Sequence, residues 1–420
     1  MTATTSPARP TTSPPSLSRL PETSPFRATG AFQRWSQSLL LIGGAGMLGT
    51  PLATEAVRAG ARVRVADMGR ITDPLKIGRA YGGCGRSKAV ALAKTCAAIN
   101  PGRAEALHAD LRHVGIGVFA AATLIIDATD DPTLAGYLTK VSNGLGVPLV
   151  RVAVDGSGHF NRGRVLVSHG GGGHACQMCP WEVKHLLKSL PRTPCPGAPD
   201  TPPPTIATNA TAGVVAGAAL QCAMRLAAGD PEVFDRETII DLDNMQILDQ
   251  RLVRSAGCIS RHRRWAWEQV EAGADACTLR EAFALLAERL EATAEKGDSP
   301  HLCEAGHRRN VGRGPFRQMG TVPFFRLEAF NHPFWTAATC SNCGDTEPAV
   351  GTWWASPPAC RRCGSAARWQ WGSDRAALTF SEAEHLGALD RTLADLGLPA
   401  QGAMLIGRAD NVPPIRIVLR

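Results

Sequence analysis

The chain carries one run of residues whose types and spacing suit phosphate chemistry. Gly44-Ala45-Gly46-Met47-Leu48-Gly49 is a G-x-G-x-x-G that follows the apolar stretch Ser38–Ile42. Glycines at this spacing let the backbone approach a phosphate, and the helix after them supplies free N–H groups and a partial positive charge. Asp67 ends a second apolar run, RVRVA, at the distance where a carboxylate can take ribose hydroxyls. Lys88, in Gly85-Arg86-Ser87-Lys88, stands in the first turn of a further helical stretch. Asp127, Asp130 and Asp131 close another buried run, Ile126-Asp127-Ala128-Thr129-Asp130-Asp131. Several acids opposite a lysine suit the handling of a metal-bound polyphosphate. Taken singly, Lys88 also reads as a solvated helix-start lysine and Asp127 as a helix cap.

The cysteines form the second chemical signal. Thirteen are present, and six fall in three C-x-x-C pairs. No apolar core of a secretory signal precedes them, so metal is expected rather than disulfides. Cys340, Cys343, Cys360 and Cys363 make a C-x2-C-x16-C-x2-C with a glycine after each pair, the pattern of a zinc ribbon. Cys176 and Cys179 form the other pair, and Cys258 and His262 at C-x3-H spacing can complete a second tetrahedron. A buried cysteine beside a basic surface histidine is the other reading of Cys258 and His262. His301, Cys303 and His307 are a weaker metal-binding set.

The elements that must position these residues follow from the apolar pattern. Strands are expected at Ser38–Ile42, Val63–Ala66, Ala104–Ala109, Leu124–Ala128 and Leu149–Val152, with helices such as Pro51–Ala59 and Ser87–Ile99 between them. Strand–helix alternation predicts an α/β fold: a Rossmann-like, mostly parallel sheet with helices on both faces. Ligands bind at the carboxyl ends of such strands, where the glycine run, Asp67 and Asp130 all fall. Further on come a Pro-rich loop at Pro191–Pro204, a small-residue helix at Thr208–Ala228, and strands at Thr238–Asp241 and Gln246–Leu252. Trp265 to about Lys296 reads as one amphipathic helix. The tail reads as a helix at Ser381–Leu396 and an edge strand at Ile415–Leu419.

Composition bounds the rest. The chain has 420 residues, 44% of them hydrophobic, with a formal net charge of +8. That is enough for two domains and too mild a charge to indicate nucleic acid. Residues 1–32 are Ser-, Thr-, Pro- and Arg-rich and are expected to be disordered. Residues 33–296 form the nucleotide-binding unit. Residues 297–420 form a small zinc-ribbon domain, since composition shifts past Gly297 and five of the nine tryptophans lie in Trp335–Trp371. No apolar run approaches the roughly 20 residues needed to cross a bilayer, so a cytoplasmic protein with no membrane partner is expected.

In combination and in order, these pieces resemble the ThiF/MoeB/HesA family, adenylating enzymes related to ubiquitin-activating enzymes. The resemblance covers roughly Gln33–Arg264. It rests on GAGMLG, the strand ending in Asp67, GRSKA with Lys88, the strand ending in TDD, ACQMC, the helix TAGVVAGAALQCAMRLAAG and the late strand before Cys258. It implies that Gly44, Gly46, Gly49 and Asp67 hold ATP, that Lys88 contacts phosphates, and that Asp130 is central to adenylation through Mg2+. It implies a Zn2+ held by Cys176, Cys179, Cys258 and His262. The sequence departs from the family pattern in four places. Gly69 replaces a second aspartate. Lys76 and Arg79 only roughly replace an Asn-x-x-Arg-Gln segment. Asp131 replaces an asparagine, and Asn209 replaces a loop cysteine, leaving Cys195 as the nearby thiol. An N-terminal arginine that reaches a partner subunit has Arg19, Arg27 and Arg34 as candidates.

The function so implied is ATP-dependent adenylation of the C-terminal carboxylate of a small ubiquitin-like or sulfur-carrier protein, by a homodimer without a specific nucleic-acid partner. Lys88, Arg79 and the cation at Asp130 would position the two anions and neutralise charge. A dehydrogenase using NAD(P) would explain the glycine run and Asp67 but not Lys88, Asp130 or the cysteines. A non-catalytic scaffold with this fold, binding partners through its zinc ribbon, is the remaining alternative.

Overall fold

The computed structural model describes residues 29–72, 85–154, 161–181, 208–260, 262–296, 317–318, 322–323, 325–370, 372–400, 402–409 and 413–419. Arg19, Arg27, Lys76, Arg79, Cys195, the Pro191–Pro204 stretch, His301, Cys303 and His307 lie outside them.

Strands β1 (Leu39–Gly43), β2 (Arg62–Ala66), β3 (Ala104–Leu107), β4 (Leu124–Asp127) and β5 (Leu149–Val154) run parallel in the order β3-β2-β1-β4-β5. Three antiparallel strands, β6 (Arg162–Ser168), β7 (Arg236–Asp241) and β8 (Gln246–Arg251), extend the sheet to eight. The helices are α1 (Gly30–Gln37), α2 (Gly49–Arg58), α3 (Lys88–Ile99), α4 (Ile116–Ala120), α5 (Pro132–Leu145) and α6 (Asn209–Ala228). Strand residues alternate between faces. Leu40, Ile42, Ile126, Val150 and Val152 pack in one core with Leu52, Leu92 and Val215 from α2, α3 and α6. Leu41, Ile125 and Leu149 pack in another with Phe119, Leu138 and Val141 from α4 and α5. Buried on both sides, these strands read as continuous apolar runs.

Two expectations are corrected in this unit, and one strand was not anticipated. The segment expected to be disordered ends early, because Thr29 caps α1, which packs on α6, and Phe32 and Trp35 bury in the core. The helix α6 is 20 residues long and apolar enough to cross a membrane by length and composition. Ala212, Val215, Ala216, Ala219 and Ala223 line its packed face. Strand β6 had no counterpart in the sequence reading, since RGRVLVS mixes charge with apolar residues.

The C-terminal unit begins before Gly297 and is more than a ribbon. The expected helix Trp265–Lys296 is instead β9 (Glu268–Val270), a turn, and α7 (Leu279–Lys296). Thr278 and Glu281 cap α7 reciprocally, Glu281 N–H donating to Thr278 Oγ1 at 3.2 Å and Thr278 N–H donating to Glu281 Oε2 at 2.8 Å. That capping box sets the start of the helix. After the pair β10 (Arg317–Gln318) and β11 (Val322–Pro323) comes β12 (Arg326–Ala329). The ribbon strands follow: β13 (Phe334–Cys340), β14 (Thr346–Thr352), β15 (Ala367–Trp369) and β16 (Asp374–Arg375). Then come β17 (Leu378–Thr379), α8 (Phe380–His385), β18 (Met404–Arg408) and β19 (Ile415–Leu419). The helix expected at Ser381–Leu396 stops at His385, two residues before Gly387, which takes the left-handed conformation at φ 63°. The expected edge strand Ile415–Leu419 is interior: the five-stranded order is β17-β12-β18-β19-β9.

This second sheet joins the units. Leu279, Phe283, Leu286 and Leu290 of α7 share a core with Phe325, Leu327, Leu405, Ile417 and Leu419. Its other face, through Phe330, Met404, Ile406 and Val418, closes the core that Phe119, Tyr137 and Leu138 begin. Phe330 lies against Trp265 at 4.8 Å between ring centroids and Tyr137 at 6.1 Å. Polar contacts accompany the apolar ones. Asn331 Nδ2 donates to the Arg112 carbonyl at 3.1 Å. Buried His332 pairs through Nε2 with His113 Nδ1 at 3.2 Å, and its Nδ1 meets the Phe330 carbonyl at 2.7 Å.

A fragment ending at Lys296 leaves Leu286 and Leu290 without their core and uncovers Phe119 and Tyr137. Residues 33–296 alone should therefore aggregate, and size-exclusion chromatography should show no monodisperse folded species. A second outcome concerns pH. Burial holds the His332 imidazole down to about 4, against about 6.5 in an unfolded chain. Between those values the unfolded chain takes up a proton that the folded one refuses, so stability is intact above pH 6.5 and falls as pH drops. The loss from this group between pH 7 and 5 should be on the order of 2 kcal/mol. Denaturant melts should show it, and His332→Gln should flatten the slope.

Candidate functional site

The glycine run turns from β1 into α2, and each glycine has its own reason. Gly44 has φ +95°, and a Cβ there would lie 2.8 Å from the Ala128 carbonyl oxygen. A Cβ on Gly49 would lie 1.9 Å from the Gly44 oxygen, so the first turn of the helix packs directly on the loop. A Cβ on Gly46 would meet no described residue within 4 Å. The middle glycine thus faces open space, as backbone reserved for a phosphate does. No side chain caps α2, and its first turn carries no acid. Within that turn the Thr50 N–H donates to the Gly46 carbonyl at 3.0 Å and the Leu52 N–H to the Leu48 carbonyl at 3.3 Å, and Pro51 has no N–H.

Asp67 pins this loop. Its Oδ2 accepts the Ala45 N–H at 2.8 Å and its Oδ1 accepts the Gly69 N–H at 2.6 Å. Gly69 is explained by crowding: a Cβ there would stand 2.9 Å from Asp67 Oδ1 and 3.5 Å from Lys88 Cδ and Cε. The Lys88 stem therefore lies over Gly69, beside Asp67. Ser87 caps α3, and the Lys88 N–H donates to the Gly69 carbonyl at 3.1 Å. The Lys88 ammonium has no ion-pair partner among the described residues.

The acids at the end of β4 divide by role. Asp127 is fully buried, accepting from Thr129 N–H at 3.1 Å and Thr129 Oγ1 at 2.7 Å. Burial pushes its carboxyl up, against the pull of Arg151 and the Thr129 hydrogen bonds. Asp131 is the N-cap of α5, accepting from Thr133 N–H at 2.8 Å and Leu134 N–H at 3.2 Å, and it pairs with Arg112 at 3.1 Å. Burial pushes its carboxyl up, but these hydrogen bonds and the Arg112 charge outweigh that and hold it low. The cap is thus Asp131, where the sequence suggested Asp127. Asp130 is exposed and has no hydrogen bond or ion pair among the described residues. It follows Ala128 and Thr129, the residues against which Gly44 packs.

The Cys/His set converges. Cys176, Cys179, Cys258 and His262 are buried, with ligand atoms all within 4.8 Å of one another. Cys176 Sγ lies 3.7 Å from Cys258 Sγ and 3.7 Å from His262 Nε2, while Cys179 Sγ lies 3.2 Å from that nitrogen. Tetrahedral thiolates at a Zn–S distance of about 2.3 Å stand about 3.8 Å apart. Ser260 Oγ touches both Cys176 Sγ and Cys258 Sγ at 3.2 Å. Asn143 of α5 holds the two halves, donating to Ser260 Oγ at 2.9 Å and accepting the Gly171 N–H at 2.8 Å. Burial, then Arg254, hold the His262 imidazole below its ordinary value, in the neutral form that ligates metal. The second set, Cys340, Cys343, Cys360 and Cys363, also lies within 4.8 Å. Gly344 and Gly364 close its two knuckles at φ +71°.

Arg34 is the described candidate for an arginine reaching a partner. It donates instead to the carbonyls of Ala227 at 3.1 Å and Ala228 at 2.7 Å, capping the end of α6. Asn209 stands exposed at the start of that helix. Sequence reasoning missed Arg112, Asn143, Ser260 and Arg151. Only Arg151 left a signal, a charge inside the apolar run LVRVAV.

A family profile described as the ThiF family matches residues 18–259. No curated protein matches the chain. Similar solved structures include E. coli MccB with succinimide, 13% identical with a TM-score of 0.45, covering 55% of this chain and 68% of that one. E. coli MccB with ATP is 14% identical with a TM-score of 0.43 over 55% and 68%. PaaA is 18% identical with a TM-score of 0.43 over 53% and 66%.

The two ligand sets lie on separate elements, so metal analysis should return about two zinc ions per chain. Cys258→Ser with His262→Ala should remove one and leave the ribbon's ion. Retention of both ions would rule out the buried set as a ligand set.

Proposed function

Since the chain belongs to the ThiF family, we propose that it is an ATP-dependent adenylyltransferase acting on the C-terminal carboxylate of a small ubiquitin-like or sulfur-carrier protein. The observation that supports this is a glycine loop at the sheet edge to which β1, β2 and β4 lead, with a lysine beside Asp67 and an aspartate after β4 that have no ion-pair partner among the described residues. Gly46 faces open space, Lys88 lies beside the loop, and Asp130 extends from the residues packed on Gly44. A dehydrogenase needs neither Lys88 nor Asp130.

Carboxylates are poor electrophiles, and adenylation makes one reactive. A carboxylate oxygen attacks the α-phosphorus of ATP, an acyl–O–P bond forms, and pyrophosphate leaves with the bonding pair. The residues bring two anions together and neutralise the charge that develops. The N-terminus of α2 and Lys88 would hold the phosphates and Asp67 the ribose end. Arg79, outside the described residues, joins Lys88 in this reading. Asp130 would carry Mg2+, which supplies charge neutralisation at the phosphate oxygens. Zn2+ at Cys176, Cys179, Cys258 and His262 would be structural, since four protein ligands leave no open position. The reading includes a cytoplasmic homodimer without membrane or nucleic-acid partner, in keeping with cysteines arranged as metal ligands.

ATP–pyrophosphate exchange with candidate carriers tests this. Asp130→Ala should lower exchange on the order of 100-fold with little change in ATP affinity, since cation-assisted neutralisation acts mainly in the transition state. Lys88→Ala should weaken ATP binding about tenfold. Near wild-type exchange in a folded Asp130→Ala protein would overturn the reading.

A further inference from the structure

Arg151 stands in the middle of β5, between Val150 and Val152, which are buried in the sheet core. It is the cross-strand partner of Asp127 on one side and Leu166 on the other. Its side chain is 14% exposed, and its Nε lies 3.7 Å from Asp127 Oδ2. That distance gives charge attraction without a hydrogen bond. Both atoms are sealed from solvent and unpartnered. No hydrogen bond leaves the guanidinium among the described residues.

Such an arrangement is costly. A buried ion pair offsets its desolvation only when geometry is good and the remaining donors are satisfied. Arginine presents five N–H donors in a planar fork, and here the sealed Nε–H goes unused among the described residues, beside an aspartate that is itself half satisfied. An apolar residue would fill this strand position at less cost. The fork matches one class of ligand best, a planar carboxylate that takes two parallel N–H bonds.

Strand order says which anion that is. Asp67 ends β2, the glycine loop leaves β1, and Asp127 to Asp131 leave β4. Neighbouring strands are about 4.8 Å apart. A nucleotide with its ribose over β2 and phosphates over β1 and β4 leaves to the second reactant the part of β5 level with the end of β4, where Arg151 pairs with Asp127. We propose that Arg151 binds the substrate carboxylate that is to be adenylated, with Asp127 holding the guanidinium beside the phosphate site. This rests on the adenylation reading and adds a specificity-determining residue to it. One carboxylate oxygen, through the lone pair that the fork leaves free, attacks the α-phosphorus, pyrophosphate departs with the electron pair, and no proton moves. Once the acyl phosphate forms, the carboxylate charge is gone and the grip of Arg151 weakens.

The test uses the full chain saturated with the non-hydrolysable ATP analogue AMPCPP. N-acetylglycine, a minimal C-terminal carboxylate, is titrated calorimetrically, with N-acetylglycinamide as the uncharged control. Wild type should bind the acid and not the amide. Arg151→Gln should weaken the acid roughly tenfold or more, Arg151→Lys should restore part of it, and AMPCPP affinity should stay within about twofold in each. Since Arg151→Gln leaves Asp127 buried without its countercharge, the double variant Asp127→Asn/Arg151→Met is the folding control: it should melt no lower than wild type and still fail to bind the acid. Acid binding that is absent in wild type or unchanged in Arg151→Gln overturns the proposal. So does a tenfold loss of AMPCPP affinity with acid binding intact, which would make Arg151 a phosphate ligand. Failure of wild type to bind AMPCPP would instead remove the adenylation reading beneath it.

Discussion

The site depends on the hold placed on the glycine loop from two sides. On one side the Asp67 carboxylate accepts the Ala45 N–H at 2.8 Å. On the other, Gly44 lies so close to the Ala128 carbonyl that a Cβ would stand 2.8 Å from it. These two contacts fix the course of the loop, and a Cβ on its middle residue, Gly46, would meet no described residue within 4 Å. Preorganised N–H groups lose little entropy on meeting a phosphate, and they act best where the protein around them does not have to rearrange. The same contact sets Asp130 two residues beyond the point where loop and strand end touch.

From that contact the constraint spreads to the C-terminal unit. Arg112 pairs with Asp131, the cap of α5, and its carbonyl accepts from Asn331 in the second sheet. His113, the next residue, meets His332 and stacks on Trp354 at 4.3 Å between centroids. The unit beyond Trp265 is therefore not an appendage. Its sheet completes the core that α4 and α5 leave open, and its polar contacts end one residue from Asp130.

The buried Cys/His set shows a similar economy. Asn143 lies on α5, the helix that Asp131 caps, and it ties Gly171 to Ser260 so that the two halves of the ligand set meet. Ser260 in turn stands at hydrogen-bond distance from two of the sulfurs. Supporting contacts of this kind orient metal ligands and tune their basicity. Cys176 and Cys258 are 82 residues apart in the chain, and Asn143 of α5 bonds to both segments where they meet.

What the sequence determined by itself was whatever local pattern dictates. Predominantly apolar runs placed β1, β2, β4 and β5, because strands that bury both faces carry few charges. The G-x-G-x-x-G spacing placed a turn that only glycines can make, and C-x2-C spacing placed knuckles that one metal can close. Tertiary structure decided the rest. Trp265–Lys296 looked like one helix because its apolar spacing is helical from Leu279 onward, but Glu268–Val270 is drawn into a strand by Ile417–Leu419, 149 residues away. The unit boundary moved for the same reason: composition changes near Gly297, while α7 buries its apolar face against strands that come later. Arg151 was visible as a charge in an apolar run, yet its place beside Asp127 depends on which strands are neighbours. Pairing across a sheet and burial against a distant segment are decided by contacts far apart in the chain, and no local pattern carries them.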